Sequence, residues 1–109
     1  MEKDLLINQI TDRLHSLNPY KVVLFGSWAS GEPHDDSDCD LIVVLSQTGF
    51  PLTYREKMEN HRLVRRSLRD LNEELPFDVI VYTIDEWNSF IERGSSFSRE
   101  IIREGKSIA

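Results

Sequence analysis

The chain has 109 residues, 39% of them hydrophobic and 29% charged, which predicts one globular domain over residues 1–109. Its net charge of −6 argues against a protein that holds nucleic acid on a broad basic surface, so we expect no direct nucleic-acid partner. A single cysteine excludes an internal disulfide, and the sequence shows neither a signal peptide nor an apolar run of the roughly 20 residues that cross a bilayer. These features predict a cytoplasmic protein without a membrane partner.

The first half of the chain predicts one helix and two strands. Apolar residues at helical spacing predict an amphipathic helix over residues 3–17. The β-branched run "KVVLF" (21–25) predicts a strand, which a tight Gly–Ser turn, one helical turn and a polar loop follow. "CDLIVVL" (39–45) is apolar at successive positions, a pattern typical of a central strand that is buried on both faces.

The second half begins with a helix signal. Thr53 and Glu56 have the spacing of a capping box, and they begin a helix that is predicted to run to about Leu75. Pro76 follows this helix, and "FDVIVYT" (77–83) predicts a third strand.

A second capping box and a last helix complete the predicted fold. Thr83 and Glu86 begin a short helix, and a further helix at about 97–104 ends at Gly105, a residue type common at helix C-termini. Three strands with about four helices predict the α/β (α+β) class, with a small sheet of about three strands flanked by helices.

Three aspartates are placed at the starts of apolar strands. Asp38 and Asp40 are two residues apart on one strand and therefore project to the same side, while Cys39 points the other way into packing. An isolated pair of this kind is usually a solvated strand edge, but Asp78 begins the next apolar strand. Three close carboxylates raise one another's pKa unless a cation neutralises them. Oxygen ligands favour a hard divalent cation, Mg²⁺ or Mn²⁺.

A phosphate-binding turn precedes these aspartates. In "FGS", Gly26 allows a phosphate to approach the backbone, and the hydroxyl of Ser27 adds a donor. His34, His61 and Cys39 do not have the spacing of a zinc site. A phosphate cradle together with metal-binding carboxylates is the minimum apparatus for chemistry on a nucleoside triphosphate.

At these residues the sequence resembles the minimal nucleotidyltransferase family, within the superfamily of DNA polymerase β-like nucleotidyltransferases. The resembling pattern is "GSWASG…SDCDL" with the later "FDVIV", and the closing "SREIIREGKSI" is similar to the tail of these small proteins. The resemblance implies a mixed sheet flanked by helices. One position departs from the pattern, because family members often have arginine before the second glycine, where this chain has Ser30.

The resemblance also implies roles for the site residues. Gly26 and Ser27 would contact the β- and γ-phosphates of ATP. Asp38 and Asp40 would hold two Mg²⁺ ions, for which Mn²⁺ can substitute, and Asp78 would be the third ligand. The acceptor hydroxyl would attack the α-phosphate and release pyrophosphate, so that a nucleoside monophosphate, AMP in the case of ATP, stays on the acceptor.

The resemblance further implies a protein partner. Small members of this family are typically paired with a helical protein of the HEPN class, and some add AMP to that partner. The implied function is an antitoxin that transfers AMP to a tyrosine of a HEPN-type toxin. A non-catalytic binding module that neutralises a toxin by contact is the alternative, and a site that binds nucleotide without turnover is a third hypothesis. A homo-oligomer is also compatible with the sequence.

An arginine stripe on the long helix has two interpretations. Arg62, Arg65 and Arg69 form either a solvated face or a contact for the triphosphate or for an acidic partner. In the same way, Asp35 and Asp36 either solvate the polar loop or lie near the metals.

The two tryptophans are also open to two interpretations. Trp28 either covers the nucleotide or packs in the core. Trp87, with Phe90, belongs either to the core or to an exposed docking patch.

Overall fold

The computed structural model of the protein describes residues 2–30 and 38–109, which form a four-stranded sheet with helices on both faces. The strands are β1 (Lys21–Phe25), β2 (Cys39–Val44), β3 (Phe77–Tyr82) and β4 (Lys106–Ser107). The helices are α1 (Lys3–Leu14, followed by a 3₁₀ turn, His15–Leu17), α2 (Ser27–Ser30), α3 (Tyr54–Ser67), α4 (Arg69–Glu74), α5 (Ile84–Arg93) and α6 (Ser96–Glu104). Four residues discussed from the sequence lie outside the described ranges: Gly31, His34, Asp35 and Asp36.

The sheet is mixed, with the strand order β3-β2-β1-β4. Strand β1 pairs antiparallel with β2 and with β4, whereas β2 and β3 run parallel. The predicted class, a small mixed sheet flanked by helices, is confirmed. The predicted number of about three strands is one too low, because β4 is two residues long and too short for a periodic pattern.

Two hydrophobic layers enclose the sheet. Strand β2 supplies both, since Leu41 and Val43 face α1, α3 and α4, while Ile42 and Val44 face α5 and α6. This burial on both faces is what the apolar run of β2 predicts. The tryptophans belong to these layers as well: Trp28 is 3% exposed and Trp87 8%. Phe90 packs beside Trp87, so these aromatic residues lie in the core.

The single helix predicted from Thr53 to Leu75 is wrong, because two helices occupy this stretch. The backbone leaves the helical conformation at Leu68, with φ −100° and ψ 5°, and α4 begins at the next residue. The hydrophobic stripe does not reveal this break, since Val64, Leu68 and Leu71 are buried in the same layer on both sides of it. Periodicity reports which face is buried and is insensitive to a one-residue interruption.

Gly105 ends α6 as predicted, for a reason of packing. Its φ is −67°, which any residue adopts. A Cβ at this position would stand 2.5 Å from the carbonyl oxygen of Ile101 and 2.8 Å from Val23 Cγ1. The absence of a side chain therefore lets the chain pass closely over the sheet and enter β4. Among the helices of the described residues, none has both the length and the hydropathy of a membrane span.

The two predicted capping boxes differ in completeness. Thr83 is buried, its Oγ1 accepts from the N–H of Glu86 at 3.1 Å, and the Glu86 carboxylate accepts from the N–H of Thr83 at 3.0 Å. Thr53 accepts the corresponding bond from the N–H of Glu56, but the Glu56 carboxylate binds the N–H of Leu52 instead. Thr83 Oγ1 also donates to the carbonyl oxygen of Gly49 at 2.6 Å, which fixes the loop before α3.

We expect Thr83→Ala to lower the free energy of unfolding by about 2 kcal/mol, because it removes both a helix cap and the hydrogen bond to the carbonyl oxygen of Gly49. Thr53→Ala is the matched control, and its loss of an exposed cap should cost about 0.5–1 kcal/mol. Urea unfolding of both variants measures the difference. If both variants lose the same free energy of unfolding, the hydrogen bond from Thr83 to Gly49 does not contribute to stability.

Candidate active site

The parallel pairing of β2 and β3 brings the predicted aspartates to one end of the sheet. Asp40 and Asp78 are direct partners in the register, and Asp38 lies two residues before Asp40 at the entrance to β2. Alternation along the strands places Asp40 on the face with Ile42, the face that α5 and α6 cover. Adjacent strands are about 4.8 Å apart, so the two paired carboxylates leave neighbouring backbone positions on this face.

The three carboxylates differ in exposure, and their charges act on one another. Asp38 and Asp78 are exposed, whereas Asp40 is half-buried. Burial raises the pKa of Asp40, and the negative charges of Asp78 and Asp38 raise it further. The metal-free protein therefore holds like charges together at a free-energy cost.

The Gly–Ser turn lies directly against this cluster. Phe25, the last residue of β1, is the register partner of Asp40, so the next residue, Gly26, comes beside its carboxylate. Gly26 has φ +72°, a left-handed conformation, and a Cβ there would collide with Asp40 Oδ2. Glycine is required at this position for both reasons. Ser27 is half-buried and begins the single turn of α2.

Among the described residues, Cys39 and His61 lie away from the carboxylates. Cys39 is fully buried in the layer beneath α3, where burial and the charge of Asp40 raise its pKa to about 12. His61 Nε2 contacts the carbonyl oxygen of Val79 at 3.2 Å, on the face opposite Asp40. Of the described residues, Asp40 and Asp78 therefore offer carboxylate oxygens beside the Gly–Ser turn.

The chemistry of these donors fits a hard divalent cation. Carboxylate oxygens are the ligands that Mg²⁺ and Mn²⁺ prefer, and a cation would neutralise the repulsion that raises the pKa of Asp40. Within residues 2–30 and 38–109, no three His, Cys, Asp or Glu side chains converge into a complete ligand set. The strand register brings the carboxylates together, and closure around an ion would need their side chains to move.

A family model described as polymerase beta, nucleotidyltransferase, matches residues 8–109, nearly the whole chain. The chain belongs to the polymerase beta nucleotidyltransferase family. No curated protein matches the sequence.

Solved structures share the fold of this family member. A toxin–antitoxin crystallised with AMP-PNP is 20% identical, with a TM-score of 0.59 over 94% of this chain and 72% of that chain. A mutant of the toxin–antitoxin MntA–HpeT with two Asp-to-Glu changes is 19% identical, with a TM-score of 0.50 over 100% of this chain and 73% of that one. A putative nucleotidyltransferase from Sulfolobus solfataricus is 23% identical, with a TM-score of 0.52 over 80% and 71% of the two chains.

The predicted arginine stripe lies at the same end of the sheet as Asp78 but across the opposite face. Arg62, Arg65, Arg66 and Arg69 line a cavity of about 300 Å³ beside β3. Arg65 Nη1 donates to the carbonyl oxygen of Phe77 at 2.9 Å, so this member of the stripe supports the edge of the sheet. Sequence reasoning missed this role, and it missed the contact of Gly26 with Asp40, because neither leaves a periodic signal.

We expect Gly26→Ala to be far more harmful than Gly94→Ala. Both glycines have positive φ, which costs alanine about 1 kcal/mol, but only at Gly26 would the new Cβ displace Asp40. Gly94 has nothing within 4 Å of the added Cβ and is the matched control. In Gly26→Ala, both the melting temperature and the affinity for Mg²⁺-ATP should fall. In Gly94→Ala, only the melting temperature should fall. Equal stability and equal ATP binding in the two variants would contradict this account of Gly26.

We expect Asp40→Asn to raise the free energy of unfolding of the metal-free protein at pH 7. The pKa of Asp40 is higher in the folded than in the unfolded state, so the native protein binds this proton more tightly. The free energy of unfolding of the wild type therefore falls as the pH rises above the ordinary carboxyl pKa of about 4. Asparagine does not ionise, so the variant does not show this decrease.

Urea unfolding in EDTA between pH 4 and pH 8 measures this difference. The gain from Asp40→Asn should shrink toward the acid end of the range, where the wild-type carboxyl is itself protonated. Asp4→Asn, which removes an exposed charge on α1, should show no such dependence. A less stable Asp40→Asn protein at pH 7 would show that repulsion is not the dominant effect.

Proposed function

We propose that this protein transfers AMP from ATP to a hydroxyl group and acts as an antitoxin by modifying a tyrosine of a HEPN-type toxin. The observation on which the proposal rests is the register of β2 and β3, which makes Asp40 and Asp78 neighbours beside the Gly26 turn. Membership in the polymerase beta nucleotidyltransferase family supports the class of reaction.

In this proposal each site residue has a defined task. Asp38 and Asp40 hold two Mg²⁺ ions, and Asp78 is the third ligand. When bound, the two ions stabilise the charge on the attacking and the leaving oxygen of an in-line displacement. Asp78 is on the outermost strand and exposed, and therefore accessible to an acceptor that arrives at the sheet edge.

The Gly–Ser turn binds the triphosphate in this proposal. Because Gly26 has no side chain, its exposed backbone is open to phosphate oxygens next to Asp40. The hydroxyl of Ser27 adds a donor. The acceptor oxygen forms a bond to the α-phosphorus, the bond from that phosphorus to the bridging oxygen breaks, and pyrophosphate leaves. The acceptor proton is released to solvent.

Two solved neighbours support the choice of nucleotide and partner. Both are toxin–antitoxin proteins, and one of them was crystallised with AMP-PNP, an ATP analogue. They are 20% and 19% identical to this chain and share its fold. The arrangement of Asp38, Asp40 and Asp78 in this chain is independent of that comparison.

One observation favours a second function, neutralisation of a partner by contact without catalysis. In the described ranges the side chains do not converge into a complete metal site, and Asp38 and Asp78 are exposed. A protein that acts only by binding would need no such convergence. The two functions differ in whether the aspartates are required.

The first test is transfer of label from ATP carrying ³²P at the α-phosphate, with Mg²⁺, in a lysate of the source cells. The wild-type protein should label one protein band, and Asp38→Ala/Asp40→Ala should reduce the labelling rate by about 10³-fold or more, since it removes the main electrostatic contribution. The control, Asp4→Ala/Glu73→Ala, removes two exposed carboxylates elsewhere and should label normally.

Equal labelling by the wild type and the double aspartate variant would contradict catalysis at this site. If neither protein labels a band, but both neutralise the co-expressed toxin equally, contact is the function. Chelation by EDTA should abolish labelling by the wild type, and Mn²⁺ should restore it.

A further inference from the structure

The outer surface of α3 bears two adjacent cavities. A cavity of about 460 Å³ at the start of the helix and the arginine-lined cavity of about 300 Å³ at its end share one residue, Arg62. Side chains at intervals of three or four positions line both cavities, which places them along one stripe. This surface is named the α3 groove, and its lining includes Tyr54, Met58, Arg62, Arg66, Arg69 and Phe77.

The arginines of the α3 groove have no ionic partners within the described residues. Arg62, Arg66 and Arg69 are exposed and pair with no described carboxylate, whereas Arg13 pairs with Asp70 at 2.8 Å. Like charges four positions apart on a helix repel each other. These three arginines therefore form no ion pair among the described residues, and an anionic partner would relieve their mutual repulsion.

Side chains cap the beginning of the adjacent sheet edge. Strand β3 is the edge strand, and its outward carbonyl groups at Phe77 and Val79 are bound by Arg65 and His61. The N–H of Phe77 donates to Asn72 Oδ1 at 2.9 Å. Because these groups are occupied, a partner at the beginning of β3 would bind through side chains rather than extend the sheet.

The composition of the groove and of its surroundings favours a protein ligand over RNA. Tyrosine, methionine and arginine are enriched in protein interfaces, and Tyr54 is 79% exposed beside Leu52, which is 87% exposed. Glu59 also lines the groove, near Tyr54 and Met58, where its carboxylate would repel a phosphate backbone. An acidic polypeptide can place carboxylates on the arginines and an apolar side chain near Tyr54.

We propose that the α3 groove is the docking surface for an acidic, amphipathic segment of a partner protein. The segment would place carboxylates against Arg62, Arg66 and Arg69 and an apolar side chain against Tyr54. Phe77 lines the groove, and the next residue, Asp78, is at the candidate active site. Phe77 and Asp78 point to opposite faces of the edge strand β3, so the docked partner would reach the site of transfer around this edge. This last step rests on the proposed function.

The test measures binding of a labelled probe to the whole protein by fluorescence anisotropy. The probe is a fluorescein-labelled helical peptide of about 15 residues with glutamates on one face and leucines on the other. The variant Arg62→Gln/Arg66→Gln/Arg69→Gln should weaken binding at least tenfold. Arg65 is left unchanged because it supports the edge of β3. The charge-matched control, Arg93→Gln/Arg99→Gln/Arg103→Gln, alters exposed arginines on α5 and α6 and should change binding less than twofold.

Three results would overturn the proposal. Equal weakening by both triple variants would indicate diffuse electrostatics rather than a groove. Tighter binding of a single-stranded RNA oligonucleotide than of the peptide would indicate a nucleic-acid site. Loss of Mg²⁺-ATP binding in the groove variant would assign these arginines to the triphosphate.

A second measurement separates this proposal from the proposed function. In the labelling assay with the acceptor protein, the groove variant should raise the KM for the acceptor at least tenfold and preserve kcat, whereas Asp38→Ala/Asp40→Ala should lose kcat. If the wild type labels nothing, the transfer hypothesis fails, and the peptide titration still decides the role of the groove. If the groove variant loses kcat with an unchanged KM, docking on this surface is refuted.

Discussion

The parallel pairing of β2 with β3 is the interaction on which the rest of this structure depends. Apolar partners that follow the aspartates along the register, Leu41 with Val79 and Ile42 with Ile80, fix the two strands in one alignment. A shift of one residue would send every side chain of a strand to the other face. The hydrophobic layers thereby hold Asp40 next to a carboxylate that it repels.

This arrangement links the stability of the fold to the chemistry of the site. Side chains that favour folding occupy most of β2, and the charged groups stand at its entrance, where solvent and ligands have access. The native core supplies the free energy that keeps the like charges together. If the site binds a cation, as proposed, neutralisation would relieve the repulsion between these carboxylates, and the free energy released would add to the affinity for the cation.

Much of this architecture could be predicted from sequence because it is local or periodic. The strands around Asp40 and Asp78, the burial of Cys39 and most helix starts follow from alternation, spacing and capping residues. The break at Leu68 was not predictable, because the buried stripe continues across it. Strand β4 was not predictable, because it is too short for a periodic pattern. It also depends on the close approach of Gly105 to Val23 of the sheet.

The location of Cys39 has a consequence for following the protein's motions. It is the chain's single cysteine, it lies between Asp38 and Asp40, and it is fully buried with a pKa of about 12. At neutral pH its thiol is protonated and shielded, so alkylating reagents and peroxide do not reach a reactive thiolate. Modification requires β2 to open first. The rate of thiol labelling therefore reports the opening of the strand that holds the site, and slower labelling with Mg²⁺ and ATP would measure how far ligands close it.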